Sequence, residues 1–535
     1  MAAVGAPRSA PAGTPVRVAA VRAFIGKRRR RHWYDWYFIG FCVVLAGVML
    51  GDFLDAPFSR LTAGAGVGST PVQAEAGIAL VLGAAAGLVV LVQALGPLAM
   101  SPADASWLLL TPLARRGVLR RPAAAVAGVA ALAGGLLGAL ALAMAGPFLP
   151  QGPQRAVGAW LVLSIAGGAG FVVAAVLVAV LAQPVPGARA RLRLACATVA
   201  AVVVAAGVAG ARWTAVSRPV ASWFAHASTG VLGGVAACAA VIACVAAVLV
   251  WRMLPRFPAS IAVTDSARAG TTLMAAAFLN VPLLTWIAED SYWHGRLLPS
   301  RPWPRFLSSL AARQQPAVAL AWVDWRRLGR RPALMITLAA SALIPALAGA
   351  AFTGRARSFT VAAVLLAGAI AAGLQGTAAT RRDTSDNTLY RLLGVNAGRA
   401  VAARAVLPAL LSAAWLMIAL ALLAAVGVLP GWLWPLLGLT AGPGAAAAAL
   451  RVARTGAIDA AEQGVDTPMG PMPTWIATRT FSVLVGAAGC FPMLKAVLAG
   501  RAHGGTLAGQ LVVSAIVLGG YLMLTIRMTA IRQQQ

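Results

Sequence analysis

Long apolar runs with almost no charge constrain this chain more than any other feature. They lie at roughly 37–54, 77–100, 122–147, 158–183, 192–211, 229–251, 333–353, 359–380, 402–428, 431–450, 479–499 and 508–526. A run of about 18 apolar residues is long enough to cross a hydrocarbon core about 30 Å thick as a helix. In lipid a helix satisfies its own backbone hydrogen bonds, so such runs read as helices rather than open strands. The expected fold class is all-α, a polytopic transmembrane helical bundle of about 12 spans. Composition agrees: 60% of the 535 residues are hydrophobic and 11% charged, against about 25% charged in soluble domains. Nothing resembles the short alternating strands of an outer-membrane barrel.

The net charge of +30 would point a soluble protein toward nucleic acid. Here the asymmetry of loops across a membrane explains it, and no nucleic acid is expected. With the N-terminus inside, only Arg60, Arg155, Arg212, Arg218, Arg355, Arg357 and Arg501 of the 44 basic residues fall in external segments. By the positive-inside rule, both termini are cytoplasmic. Usage rich in Ala and Arg, with only Lys27 and Lys495 as lysines, suggests a high-GC bacterium. The expected location is therefore the bacterial cytoplasmic membrane. Residues 1–16 read as disordered and lack the apolar core of a signal peptide. The stretch 273–288 is short and contains Pro282, so it is placed at the inner interface or on the cytoplasmic segment.

The runs divide six plus six. The expected organisation is a disordered N-terminus with a basic interfacial helix (1–36), a first six-span half (37–251), a cytoplasmic linker with a second interfacial helix (252–332) and a second half (333–535). An internal repeat supports the division. A shift of 283 places Trp107 on Tyr390, Arg116 on Arg399, Val118 on Val401 and Arg121 on Arg404. It also carries the second and third runs onto the eighth and ninth. Each half opens with a basic amphipathic segment containing a WxDW element. One holds Trp33 and Trp36, the other Trp322 and Trp325. An interfacial tryptophan belt explains the residue types.

The loops after the second and eighth runs start polar and acidic (Ser101 and Asp104; Asp383, Ser385 and Asp386), as a helix N-terminus prefers. They continue apolar and end in arginines. The stretch LLLTPLARRGVL (108–119) resembles the coupling-helix pattern of six-span exporter permeases of ABC transporters, with Pro112, Arg115 and Arg116 matching and Ala114 in place of the usual serine. The second copy, RLLGVNAGRAVAAR, lacks the proline. The resemblance covers nearly the whole chain as two fused permease halves. It implies an exporter subunit whose coupling loops, with Trp107, Pro112, Arg115, Arg116, Tyr390 and Arg399 as candidates, meet separate cytoplasmic ATPase subunits. It also implies an external re-entrant region between the fifth and sixth spans, for which 212–228 is a candidate.

No GxxxxGK[ST] phosphate loop occurs, so any ATP energy comes from a partner. None of the 14 acidic residues falls mid-run, which weighs against an ion-coupled carrier. Lys495 is the charge placed well inside an apolar run, near its outer end. It reads as a snorkelling lysine or as a contact for an anionic group in a translocation path. The four histidines are scattered, the Glu289-Asp290 pair near His294 reads as a solvated turn, and the five cysteines lie in apolar runs. No enzyme activity, cofactor or metal is expected. Two other readings stay open. One is a secondary carrier of the major facilitator type, although the DRxGRR order of its loops is missing. The other is a non-transporting membrane scaffold.

Overall fold

The computed structural model describes residues 71–96, 98, 100–111, 114–145, 154–185, 187–212, 229–277, 315–385, 394–455, 465–467, 470–472 and 474–534. The run at 37–54, the segment with Trp33 and Trp36, residues 213–228, Pro112, Tyr390 and most of 273–288 lie outside them.

The chain is a multi-span helical membrane protein. Among the described residues, nine helices are long and apolar enough to cross a membrane, and one bent helix pair passes the same test. In the first part these are α1 (Pro71–Leu95), α3 (Arg115–Ala145), α4 (Gln154–Ala182) and α6 (Thr229–Met253), with α5 (Ala188–Arg212) carrying a shorter apolar stretch. A short helix, α2 (Pro102–Leu110), stands between α1 and α3, and α7 (Ala259–Ala277) follows α6. The second part begins with α8 (Gln315–Gly329), followed by α9 (Pro332–Ser341) and α10 (Ile344–Ala351), which together form one span. Then come α11 (Gly354–Gln375), the short α12 (Ala378–Ser385), α13 (Ala397–Ala425) and α14 (Leu433–Thr455). A ribbon of β1 (Val465–Thr467) and β2 (Gly470–Met472) pairs antiparallel before α15 (Thr474–Gly489), α16 (Phe491–Ala499) and α17 (Gly504–Gln534).

The lipid-facing surface shows why this chain needs a bilayer. Leu132, Leu136, Ile516, Met523 and Leu524 are each about two-thirds exposed or more. In water a surface of this kind would drive aggregation. In hydrocarbon it carries no such cost. The span of α14 is the most enclosed, 72% buried, whereas the span of α17 is 11% buried. The largest core accordingly surrounds α13 and α14, with Trp434, Leu437, Leu416, Leu420 and Leu423 fully buried. A separate cluster joins the two parts: Ala76, Ala79 and Met144 pack against Leu347, Ala350 and Ala351 of α10.

Lipid tails are as apolar as leucine, so close backbone packing holds spans together. At the crossing of α13 and α14, a methyl group added to Gly442 would overlap the backbone of Ala413, and one at Gly438 would overlap Leu416. We expect Gly442→Val to lower stability by about 1–3 kcal/mol, the usual cost of overpacking. Gly509→Ala, at a position with nothing within 4 Å, should leave it nearly unchanged. Apparent melting temperatures of the two variants in detergent check this.

Two expectations are corrected. The run 479–499 is not one straight span: α15 and α16 meet at Cys490 with a bend of 71°. The arginines of LARRGVL do not end a loop helix either. The chain breaks after α2, and Arg115 and Arg116 open α3, seven residues before the expected start of that span. Arginines prolong a helix well, so the span extends beyond its apolar run.

Candidate functional site

Trp107, Arg115 and Arg116 lie on α2 and at the start of α3. Ser101 caps α2, its hydroxyl accepting from the backbone N–H of Asp104 at 3.1 Å. Asp104 sits in the first turn, where a helix favours negative charge. One side of α2 is buried through Ala105, Leu108 and Leu109, which join Leu254 and Phe257 in a common cluster. The other side carries Trp107, 75% exposed.

Arg115 and Arg116 are engaged within the chain. The Arg115 guanidinium donates to the carbonyl of Phe257 at 3.1 Å. Arg116 lies over the Trp251 ring at 4.2 Å, a cation–π contact. Both fix the start of α3 against the end of α6. Behind α2, α7 is held by a bidentate ion pair in which Arg189 donates to Asp265 at 2.7 and 3.1 Å. Ser266 also accepts from the backbone N–H of Met100 at 3.1 Å. Gly96, at φ +82°, lets α7 approach, because a side chain there would strike Asp265.

In the second part the corresponding place holds a buried charge cluster. Arg404, inside α13, donates through Nε to Asp383 at 2.8 Å and through a terminal nitrogen to Asp324 at 2.7 Å. The same nitrogen reaches the Leu320 carbonyl at 3.4 Å. All three side chains are less than a tenth exposed. One arginine therefore ties α8, α12 and the start of α13 together. Burial pushes the Asp324 carboxyl above its ordinary range, with Arg404 opposing the shift and Asp383 adding to it. Beside Asp324 lies a void of about 10 Å³ also lined by Arg327, Arg331 and Gln375, room for roughly one water.

The remaining candidates are scattered. Arg399 is exposed near the start of α13, and Trp325 is half exposed on α8 beside the more buried Trp322. Asp383 lies in the last turn of α12, not at a helix N-terminus as the sequence led us to expect. Arg121 is exposed although its repeat partner Arg404 is buried. Lys495 is exposed on α16, beyond the bend rather than inside a continuous span. Among the described residues, no group of three or more His, Cys, Asp or Glu comes together as a metal site requires.

Sequence reasoning missed the roles of Asp324, Arg189 and Asp265. Arg404 did give a signal, because it lies inside the apolar run 402–428, where a charge needs a partner.

No curated protein matches the chain, and no solved structure does. Residues 70–429 match a family described as a family of unknown function, DUF6297. That stretch holds α2, the Arg189–Asp265 pair and the whole Arg404 cluster, and it ends before α14. The match covers more than half of the chain, and the protein belongs to this family.

Proposed function

We propose that this chain is the membrane-spanning permease subunit of an ABC-type exporter, with two six-span halves fused in one polypeptide and separate cytoplasmic ATPase subunits supplying the energy. The bacterial cytoplasmic membrane, both termini inside and about twelve spans belong to the same reading. The observation that carries it is α2, a capped nine-residue helix between two spans, anchored on one side and offering Trp107 on the other. An element of this kind can receive a push from a soluble partner and pass it to both spans.

Two further observations support it. The 283-residue shift carries α1 onto 354–378, where α11 lies, and α3 onto 398–428, where α13 lies. The break at Cys490, just before the last span, is the kind of interruption that exporter permeases of this class place between their fifth and sixth spans. It lies in the second half; the first-half candidate, 212–228, lies outside the described residues apart from Arg212.

The test is purification of the tagged chain from its host with identification of what accompanies it. A stoichiometric ATPase is expected, reduced about tenfold by Trp107→Ala, as removal of a central aromatic anchor predicts. Since Trp107 packs little within the chain, the variant's own melting temperature should not move. Arg115→Ala is a poorer probe, because it also frees α3 from Phe257. Purification without any ATPase, repeated after crosslinking in intact membranes, would overturn the reading.

A further inference from the structure

An apolar cavity of about 280 Å³ lies between α1, α3, α4 and α6. Close backbone contacts shape it. A side-chain carbon at Gly134 or Gly138 would run into the backbone of α4 at Gly168 or Ser164. These small residues let the helices touch at the crossing and leave no side chains to fill the space beside it. Trp160, Leu142 and Leu232 line one end of the cavity, within a few residues of the span ends opposite Arg115 and Arg252. From there it runs inward to Phe171 and Gly134. Apart from the indole N–H of Trp160, Ser164 bears the one polar side chain in the lining.

A cavity this apolar gives water too few partners to hold it. It is also roughly twice the size, about 150 Å³, at which an apolar protein cavity takes up benzene. Three of its lining residues, Leu82, Phe171 and Val235, are themselves exposed on the outer surface of the bundle. The cavity is therefore continuous with the lipid-facing side. We propose that it binds one acyl chain of a bilayer phospholipid, drawn in sideways from the leaflet away from the arginine-rich loops. The inference does not depend on the transport reading. It needs only that these helices span a membrane.

The full chain in nanodiscs containing phosphatidylglycerol with a mid-chain diazirine tests this. After illumination, adducts mapped by mass spectrometry should concentrate on 160–171 and 232–239 relative to the exposed face of α17 at Leu511, Val512 and Ile516. Two variants fill the space. A β-carbon at Gly167, a lining residue, meets Ala236 at an ordinary 3.7 Å, so Gly167→Leu adds bulk at the cavity wall. Ala239→Phe fills it from α6. Each should lower the cavity adducts about tenfold, the factor that about 1.4 kcal/mol of lost binding produces, and leave those on α17 unchanged. Labelling equal to that of α17, or unaffected by either filling variant, would refute the site. So would a benzophenone side chain at position 239 that crosslinks to residues 37–54 instead of lipid, because the chain's own apolar run would then be the occupant.

Discussion

Replacing Arg404 with methionine is expected to destabilise the protein by about 3–5 kcal/mol, because it strands Asp324 and Asp383 without their common counter-charge. The variant should lose its monodisperse peak in mild detergent or melt well below the parent. Arg404→Lys should be intermediate, since an ammonium cannot donate through a fork to two carboxylates held at 2.7 and 2.8 Å. The triple variant Arg404→Met, Asp324→Asn, Asp383→Asn separates the lost attraction from the stranded charges. If stranded charge is the main cost, this variant recovers most of the stability. An Arg404→Met protein that melts like the parent would show that the cluster does not hold α8 and α12 in place.

Asp324 also sets a pH dependence. Its carboxyl is held above the ordinary range chiefly by burial. A carboxyl whose folded pKa exceeds its unfolded value contributes stability below the unfolded value and loses it as pH rises through the folded one. The parent should therefore fall relative to Asp324→Asn as pH is raised from about 4 to about 7, across and above the usual carboxylate range. Melting temperatures of both proteins along that series measure it. A difference that stays flat or changes in the opposite direction would contradict the assignment.

Elements governed by local composition were legible in the sequence. Apolar length placed the described spans to within several residues, and Ser101 announced the start of α2. Pairings set by distant residues were not. Arg404 meets Asp324 from 80 residues away, and no spacing rule joins a charge on an interfacial helix to one inside a span. The bend between α15 and α16 escaped for a related reason. Hydropathy adds both helices into one run, because a turn in lipid needs no polar residue of its own when another span supplies the hydrogen bonds. Pro492 was visible, but a proline near a helix start is equally at home at its first turn.

That supplying residue makes the second large prediction. Gln510 of α17 is fully buried and reaches both sides of the break. It accepts from the Met493 backbone N–H at 2.9 Å and donates to the Gly489 carbonyl at 2.7 Å. Gln510→Leu removes both bonds. Gly489 keeps only a long 3.4 Å contact with the Ser514 hydroxyl, and Met493 loses its partner outright. Each buried, unsatisfied group costs about 1–3 kcal/mol, so a loss of about 2–4 kcal/mol is expected, measured as a lower melting temperature. Gln510→Glu, ionised, keeps an acceptor for Met493 but places a negative charge against the Gly489 carbonyl, so it should not rescue. Spin labels at the exposed positions Leu484 and Leu498 test the geometry directly. A continuous helix would place their backbones about 21 Å apart at 1.5 Å per residue, whereas the 71° bend brings them closer. The parent should give a single short distance, and Gln510→Leu a broader distribution extending toward the straight-helix value. A parent that already gives the straight-helix distance would remove the break, and with it the exposed position of Lys495 beyond the bend.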